Sequence, residues 1–173
     1  LKQNRLDGLK FNIGIFTNLS QDHLDYHKNL NDYLKAKLYL FENLIKKNGS
    51  VITDEKIPQF KNIKRITTMK NLKLYTLDNI ENNFKIISHS FEGETQILVV
   101  KYKNSIIKVN LNLIGKIQFK NLLMAIIAAK KSKLDLKKIL SVLPKIKPVE
   151  GRLEKIGEIK NGSKVILDYA HTP

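Results

Sequence analysis

The chain has 173 residues, 42% of them hydrophobic, a formal net charge of +15 and no cysteine. This length and apolar content predict one globular domain, or one domain with part of another. The lack of cysteine excludes disulfides and thiolate metal sites. Any metal would therefore be bound by oxygen and imidazole ligands, which suit magnesium and manganese. No apolar run reaches the ~18 residues of a membrane-spanning helix and no signal peptide opens the chain, so we expect a soluble cytoplasmic protein without a membrane partner.

The first predicted element is a strand at Phe11 to Thr17, a short apolar run (FNIGIFT) with Gly14 inside it. Such a run is typical of a buried parallel strand. Its carboxyl end would deliver Asn18 and the polar segment that follows, and open α/β sheets bind their ligands at that edge.

A helix is predicted next, with Asn31 or Asp32 as its cap and an end near Lys46. The pair Asn48-Gly49 would stop this helix, because glycine adopts the left-handed conformation common after a helix end. Ser50 to Thr53 then predicts a second strand, which completes a strand, helix, strand unit.

Between Asp54 and Asp78 the pattern is weaker. It indicates a short helix near Ile57, a strand near Ile63 to Ile66 and another at Leu74 to Thr76. From Phe84 to Leu113, three runs rich in isoleucine, valine and phenylalanine are separated by turn residues, which predicts an antiparallel meander.

The last third of the chain predicts two helices and then two strands. The helices are residues 117 to 131 and Leu136 to Leu143, and the strands are Arg152 to Ile159 and Lys164 to Tyr169. Pro148 breaks the chain between the two sets, so we place a domain boundary there, with residues 1–148 in one domain and 149–173 opening another. The fold class is α/β, with a mainly parallel sheet flanked by helices and a small antiparallel sheet.

One polar segment combines Asp22, His23, Asp25 and His27, and a helix with Lys37 follows it. Carboxylates and imidazoles at a strand end can hold a divalent cation or orient a phosphate, and a capping loop with surface histidines is the structural alternative. Lys37 by itself is an ordinary solvated helical lysine, or else a cation that faces phosphate or a nucleophilic amine.

Three further positions have a functional and a structural interpretation. Asn121 lies in the first turns of an apolar helix entered through Gly115, where an amide can read an adenine edge or simply cap a neighbour. Arg152 follows a hinge-like turn, or is a surface charge in a linker. Asp168 ends an apolar strand, where an acid can hold ribose hydroxyls or cap the next helix.

Taken in order, five sequence blocks resemble the Mur ligases of peptidoglycan synthesis: FTNLSQDHLDYH, the YLKAK helix, LIGKIQFKNLLMA, EGRLEKI and VILDYAHTP. They span almost the whole chain and are most similar to the branch that adds the third amino acid to UDP-N-acetylmuramoyl-L-alanyl-D-glutamate. The resemblance implies a central ATP-binding domain, residues 1–148, followed by the first strands of a Rossmann-like C-terminal domain.

The resemblance also implies the chemistry. Mur ligases use ATP to convert a substrate carboxylate into an acyl phosphate, which an incoming amine attacks to form an amide, while magnesium ions offset the negative charge. His23 matches a magnesium ligand of the family. Lys37 matches a lysine that the family carbamylates, so that the carbamate helps to place the metal. The implied partners are ATP, Mg²⁺, the UDP-dipeptide and an amino acid.

Other matching residues imply binding roles. Gln3 and Arg5 match residues that contact the UDP-linked substrate. Of the residues that match nucleotide contacts, Asn121 would lie near adenine, Arg152 on phosphate and Asp168 on ribose. His171 is assigned loosely to the same nucleotide site. Gln118 departs from the family, which commonly has asparagine there, so the resemblance implies a lengthened or lost contact to adenine at that position.

The chain opens without methionine and ends after an apolar run, so we expect a fragment whose phosphate-binding loop lies before Leu1 and most of whose C-terminal domain lies beyond Pro173. Such a fragment should be inactive by itself, and a monomer. Folylpolyglutamate synthetase, with the same fold and chemistry, is the nearest alternative. A basic nucleic-acid-binding module is another, but the lysines are scattered along the chain rather than clustered, so no nucleic-acid partner is expected.

Overall fold

The computed structural model describes residues 5–20, 29–77, 84–93 and 95–170. The chain forms two compact units. The first comprises Leu1–Asn79 with Met124–Ser132, and the second comprises Ile80–Leu123 with Lys133–Pro173. The predicted α/β class is confirmed, since one unit holds a parallel sheet with helices and the other a small antiparallel sheet.

The first unit is built on a three-stranded parallel sheet in the order β1-β2-β3. Phe16 at the end of β1 pairs with Thr53 at the end of β2, so both strands finish at the same edge. Its elements are β1 (Phe11–Phe16), α1 (Leu30–Tyr39), a π-helical turn (Leu40–Leu44), β2 (Ile45–Thr53), α2 (Phe60–Met69), β3 (Lys73–Thr76) and the last residues of α3 (Gly115–Lys131).

The core of this unit lies where α1 and its π-helical turn meet β1. The rings of Phe16 and Phe41 lie 6.1 Å apart, and both residues are buried. A Cβ on Gly14 would lie 2.9 Å from a ring carbon of Phe41 and 2.8 Å from Ile45, so only glycine lets the turn pack this closely on the strand.

The predicted limits of α1 were wrong at both ends. The cap is Asn29, whose side-chain oxygen accepts the Asp32 backbone N–H at 2.9 Å, rather than Asn31 or Asp32. The helix widens into the π-helical turn and β2 already begins at Ile45. The pair Asn48-Gly49 therefore stops no helix but lies inside β2, at an irregularity where Phe11 pairs with Ile45 and Ile13 with Ser50.

The strand predicted at Ile63 to Ile66 was also wrong, because these residues belong to α2. Ile63, Ile66 and Thr67 are buried and share one face of the helix, so burial at helical spacing outweighs the β preference of isoleucine. The short helix expected near Ile57 is a turn, in which the Ile57 N–H donates to the Asp54 carbonyl at 3.4 Å. The strand at Leu74 to Thr76 is confirmed as β3.

The second unit contains the predicted antiparallel meander, in the order β4-β5-β6, and a separate hairpin of β7 and β8. The two predicted helices are confirmed with small changes of their limits. The elements are β4 (Phe84–Glu92), β5 (Thr95–Tyr102), β6 (Ser105–Leu111), α3, α4 (Leu136–Val142), a 3-10 turn (Leu143–Lys145), β7 (Glu154–Glu158) and β8 (Lys164–Leu167).

A buried polar network joins the meander to the segment before α3. The fully buried Gln96 donates its amide N–H to the Leu113 carbonyl and accepts at Oε1 from His89 Nε2, at 2.7 Å. Because the amide nitrogen is used by the carbonyl, the oxygen must face the imidazole, which must then carry its proton on Nε2. The His89 ring also stacks on Phe119, with 3.7 Å between centroids, so this network attaches α3 to the sheet.

The substitution Gln96→Met should lower the free energy of unfolding by about 1–3 kcal/mol, because it keeps the side-chain length but leaves the Leu113 carbonyl without its donor. Urea unfolding of the purified protein measures this. Gln59→Met is the matched control, since no hydrogen bond of the Gln59 side chain caps its helix. Equal stability of the two variants would show that the buried amide contributes nothing.

Candidate functional site

The carboxyl ends of β1 and β2 form one edge of the parallel sheet. Thr53 Oγ1 donates to the Phe16 carbonyl at 3.0 Å in a buried hydrogen bond that links the two strand ends. Asp54 follows at once, is 3% exposed, and accepts the Lys56 N–H at 2.9 Å. Ligands of open α/β sheets bind at this edge, so polar groups that reach it are candidate site residues.

Lys37 reaches this edge from α1. Its Nζ donates to the carbonyl of Asn18, two residues beyond β1, at 2.9 Å. The ammonium also lies 4.7 Å from the ring centroid of Tyr33 and 5.7 Å from that of Phe16, within the range of cation–π attraction. Among the described residues no carboxylate pairs with it. The fold thus holds a half-buried primary amine at the ligand edge of the sheet, with a carbonyl and two rings as its neighbours.

The segment that precedes β1 is attached to the same helix. Tyr39, in the last turn of α1, donates its hydroxyl to Asp7 Oδ1 at 2.9 Å. This hydrogen bond raises the pKa of Tyr39 above its ordinary value, with smaller contributions from desolvation and from the charge of Asp7. Arg5 is exposed two residues before Asp7. The bond therefore fixes the base of the segment that carries Arg5.

A second group of predicted residues meets in the other unit. The Gln118 amide Nε2 donates to the Arg152 carbonyl at 3.2 Å, and the Tyr169 N–H donates to the Gly151 carbonyl at 2.7 Å. The Arg152 guanidinium carbon lies 5.5 Å from the Tyr169 ring centroid. Asp168 is exposed and directly precedes Tyr169. Gln118 and Tyr169, which are 34 and 17 residues from Arg152 in the chain, are thus brought together around one arginine.

Asn121 lies on α3 one turn after Gln118, and its side chain is exposed. Residues three apart on a helix are neighbours on its surface, so the two amides lie on the same side of α3. The turn at Arg152 is attached to that side of the helix through Gln118. An exposed amide, an exposed guanidinium and an exposed carboxylate in this unit are groups that can bind a base, a phosphate and a hydroxyl.

Residues 1–129 match a family model described as the Mur ligase middle domain. The chain belongs to the Mur ligase family. A curated relative from Zymomonas mobilis, named UDP-N-acetylmuramoyl-L-alanyl-D-glutamate--2,6-diaminopimelate ligase, is 34% identical over 173 residues, which is all of this chain and 36% of that protein. The motifs had indicated this family, and the match confirms it.

Solved structures agree with the sequence comparison. A structure of a ligase with the same name has a TM-score of 0.74 at 26% identity, and the match covers 99% of this chain and 35% of that one. An FPGS chain in complex with AMPPCP has a TM-score of 0.69 at 20% identity, covering 96% of this chain and 41% of that one, which shows a shared fold alone. This chain of the Mur ligase family spans about a third of the length of the curated relatives it matches.

Several predicted site residues of this Mur ligase domain lie outside the described residues: Gln3, His23 and His171, together with Asp22, Asp25 and His27. Their roles, and the proposed metal site, remain predictions. The described residues contain no group of three metal-ligating side chains. Among the helices of those same residues, none combines the length and apolar character that a bilayer crossing requires.

The sequence analysis missed three residues that shape these sites. Asp54 gives the same signal as Asp168, an acid directly after an apolar strand, and could have been found by that rule. Glu154 accepts the Gly151 N–H at 2.8 Å, and a carboxylate three residues after a turn glycine is a recognisable local pattern. Tyr169 gave no local signal, because its partner Arg152 is 17 residues earlier.

The pH dependence of the Tyr39 contact can be tested with Asp7→Asn, which should lower the pKa of Tyr39 toward the ordinary value of about 10. Because the pKa is raised in the folded state, the contact's stabilisation is complete below the unfolded-state pKa and is lost as pH rises through the folded-state pKa. Tyrosinate absorbance measures the titration, with Tyr39→Phe to identify this tyrosine and Asp32→Asn as control. An unchanged midpoint in Asp7→Asn would contradict the assignment.

Proposed function

We propose that this chain is part of an ATP-dependent amide-bond ligase of the MurE type, which adds the third amino acid, diaminopimelate or lysine, to UDP-N-acetylmuramoyl-L-alanyl-D-glutamate in peptidoglycan synthesis. The observation that carries the proposal is the match of the entire chain, at 34% identity, to a relative named for this reaction with diaminopimelate. The amine held at the ligand edge of the sheet supports it from the structure.

The proposed reaction has two steps. A carboxylate oxygen of the UDP-dipeptide attacks the γ-phosphorus of ATP, ADP leaves, and an acyl phosphate forms. The amine of the amino acid then attacks the acyl carbon, phosphate leaves with the electrons of the broken C–O bond, and the nitrogen loses a proton to give the amide. Both steps bring negatively charged groups close together, so the protein must position the reactants and offset that negative charge.

Lys37 is proposed to act as a carbamate. Its uncharged amine combines with carbon dioxide and loses one proton, which converts a cation into an anion with two oxygens. The carbamate nitrogen keeps one N–H, so the Asn18 carbonyl that now accepts from Nζ at 2.9 Å can continue to orient the group. An ammonium cannot ligate a metal, whereas carbamate oxygens with the His23 imidazole suit Mg²⁺. When bound, Mg²⁺ supplies positive charge to the triphosphate and the acyl phosphate.

The remaining residues are proposed to bind the substrates. Arg152 would meet a phosphate of ATP, Asn121 the adenine and Asp168 the ribose, with His171 beside them. The exposure of Arg152, Asn121 and Asp168 supports these roles, since each side chain is accessible to a ligand. Gln3 and Arg5 are proposed to contact the UDP-linked substrate, and the Asp7–Tyr39 hydrogen bond supports a defined position for the segment that carries Arg5.

In the full-length ligase, Lys37→Arg should lower kcat by about 100-fold or more, because a guanidinium keeps the charge but cannot take up carbon dioxide. Amide formation from ATP, the UDP-dipeptide and either diaminopimelate or lysine is the assay. Lys35→Arg, an exposed position two residues earlier on α1, is the matched control and should stay within twofold. Activity of Lys37→Arg close to that of the control would contradict the carbamate, and electron density beyond Nζ of Lys37 would support it directly.

Further observations distinguish the proposed function from its two alternatives. The 173-residue chain alone should not turn over ATP, and the full-length sequence should carry a glycine-rich loop of the GTNGKTT type before Leu1. Glutamate addition to a folate without use of the UDP-dipeptide would favour a folylpolyglutamate synthetase. Salt-sensitive binding to DNA, unaffected by the UDP-linked substrate, would favour a basic nucleic-acid module.

A further inference from the structure

The turn at Gly151 and Arg152 is unusually well bonded for an exposed segment. The Gly151 N–H donates to Glu154 Oε2 at 2.8 Å, and the Gly151 carbonyl accepts from Tyr169 at 2.7 Å. The Arg152 N–H donates to the Val149 carbonyl at 2.9 Å. The Arg152 carbonyl accepts from Gln118, so all four backbone polar groups of the two residues are bonded.

These four bonds are not equivalent. Three of them come from Val149, from Glu154 at the start of β7 and from Tyr169 after β8, and they fix the shape of the turn. The bond from Gln118 is different, because this residue lies on α3 and is 34 positions earlier in the chain. Losing the Gln118 amide would therefore leave the turn's own bonds in place and remove its hydrogen bond to the helix.

A packing contact occurs beside this hydrogen bond. Gly151 and Leu153 both have left-handed backbone conformations, with φ of +68° and +47°. Leucine rarely adopts this conformation, so the position of Leu153 must be stabilised by its surroundings. Its Cδ1 would lie 3.1 Å from a Cβ on Gly115, the first residue of α3. The turn thus contacts the first turn of α3 through one side chain and one hydrogen bond.

The Arg152 side chain is exposed, and in the described part of the chain its guanidinium faces the Tyr169 ring and forms no ion pair. A cation–π contact at an exposed site is weak, so it does not fix a long side chain alone. The location of the guanidinium is then determined mainly by where the backbone of the turn is held. Gln118 is the described side chain that holds that backbone to α3.

We propose that Gln118 is a positioning residue for Arg152: its amide fixes the Arg152 carbonyl and so presents the guanidinium to an anionic phosphate group of the nucleotide. This rests on the proposed function, in which Arg152 meets a phosphate of ATP. Glutamine has the length this bond needs, while asparagine, one methylene shorter, would place its amide too far from a carbonyl now at 3.2 Å. The departure from asparagine at this position is thus matched to the turn.

The test is a double-mutant cycle in the full-length ligase, with the apparent KM for ATP as readout. Gln118→Met keeps the side-chain length without a donor and should raise this KM about two- to tenfold, the size expected for one neutral hydrogen bond. The KM for the UDP-linked substrate should stay within twofold, and Gln59→Met should change neither constant.

The deciding arm uses Arg152→Ala, which keeps the backbone carbonyl but removes the guanidinium. If Gln118 acts through Arg152, adding Gln118→Met to Arg152→Ala should raise the KM for ATP no further. An equal rise in both backgrounds would overturn the proposal, because it would show a general structural role or a direct contact to the nucleotide. A wild-type KM in Gln118→Met would overturn it as well. Failure of the parent to use ATP at all would instead refute the proposed function.

Discussion

The parallel register of β1 and β2 is the constraint on which the first unit depends. Pairing Phe16 with Thr53 makes the two strands end together, and the buried hydrogen bond from Thr53 Oγ1 to the Phe16 carbonyl links those ends directly. A shift of β1 by one residue would turn Phe16 away from the core that it now shares with Val51. Since Asn18 follows β1, the same register decides where the partner of Lys37 lies.

The surroundings of Lys37 matter as much as its location. Its neighbours are one carbonyl and two ring faces, and among the described residues no carboxylate pairs with it. The amine is also half-buried between helix and sheet rather than extended into solvent. A lysine in these surroundings can be modified, as the proposed carbamylation would do, without breaking a salt bridge among the described residues.

Much of the fold followed from pattern, because β1, the meander and α3 each combine a run of apolar residues with clear turn signals. The prediction failed where tertiary contacts determine the secondary structure. Isoleucines with β preference form α2 because their spacing buries one face of a helix. The helix α1 ends in a π-helical turn that packs on Gly14. For the site, spacing found the strand edges, but only the family resemblance assigned a role to Lys37. The bond between Gln118 and Arg152 joins residues 34 apart, so no local pattern reveals it.

Both the composition of the chain and the geometry of the turn single out Arg152. The chain has 31 basic residues, and arginine occurs only at positions 5, 65 and 152. Arg152 lies on a turn in which its own backbone polar groups and those of Gly151 are all bonded, with an aromatic ring beside its guanidinium. A lysine there would keep the charge but lose both the planar contact with Tyr169 and the paired N–H groups that fit a phosphate. The four hydrogen bonds that hold this backbone are explained if the guanidinium must bind an anion at a fixed position.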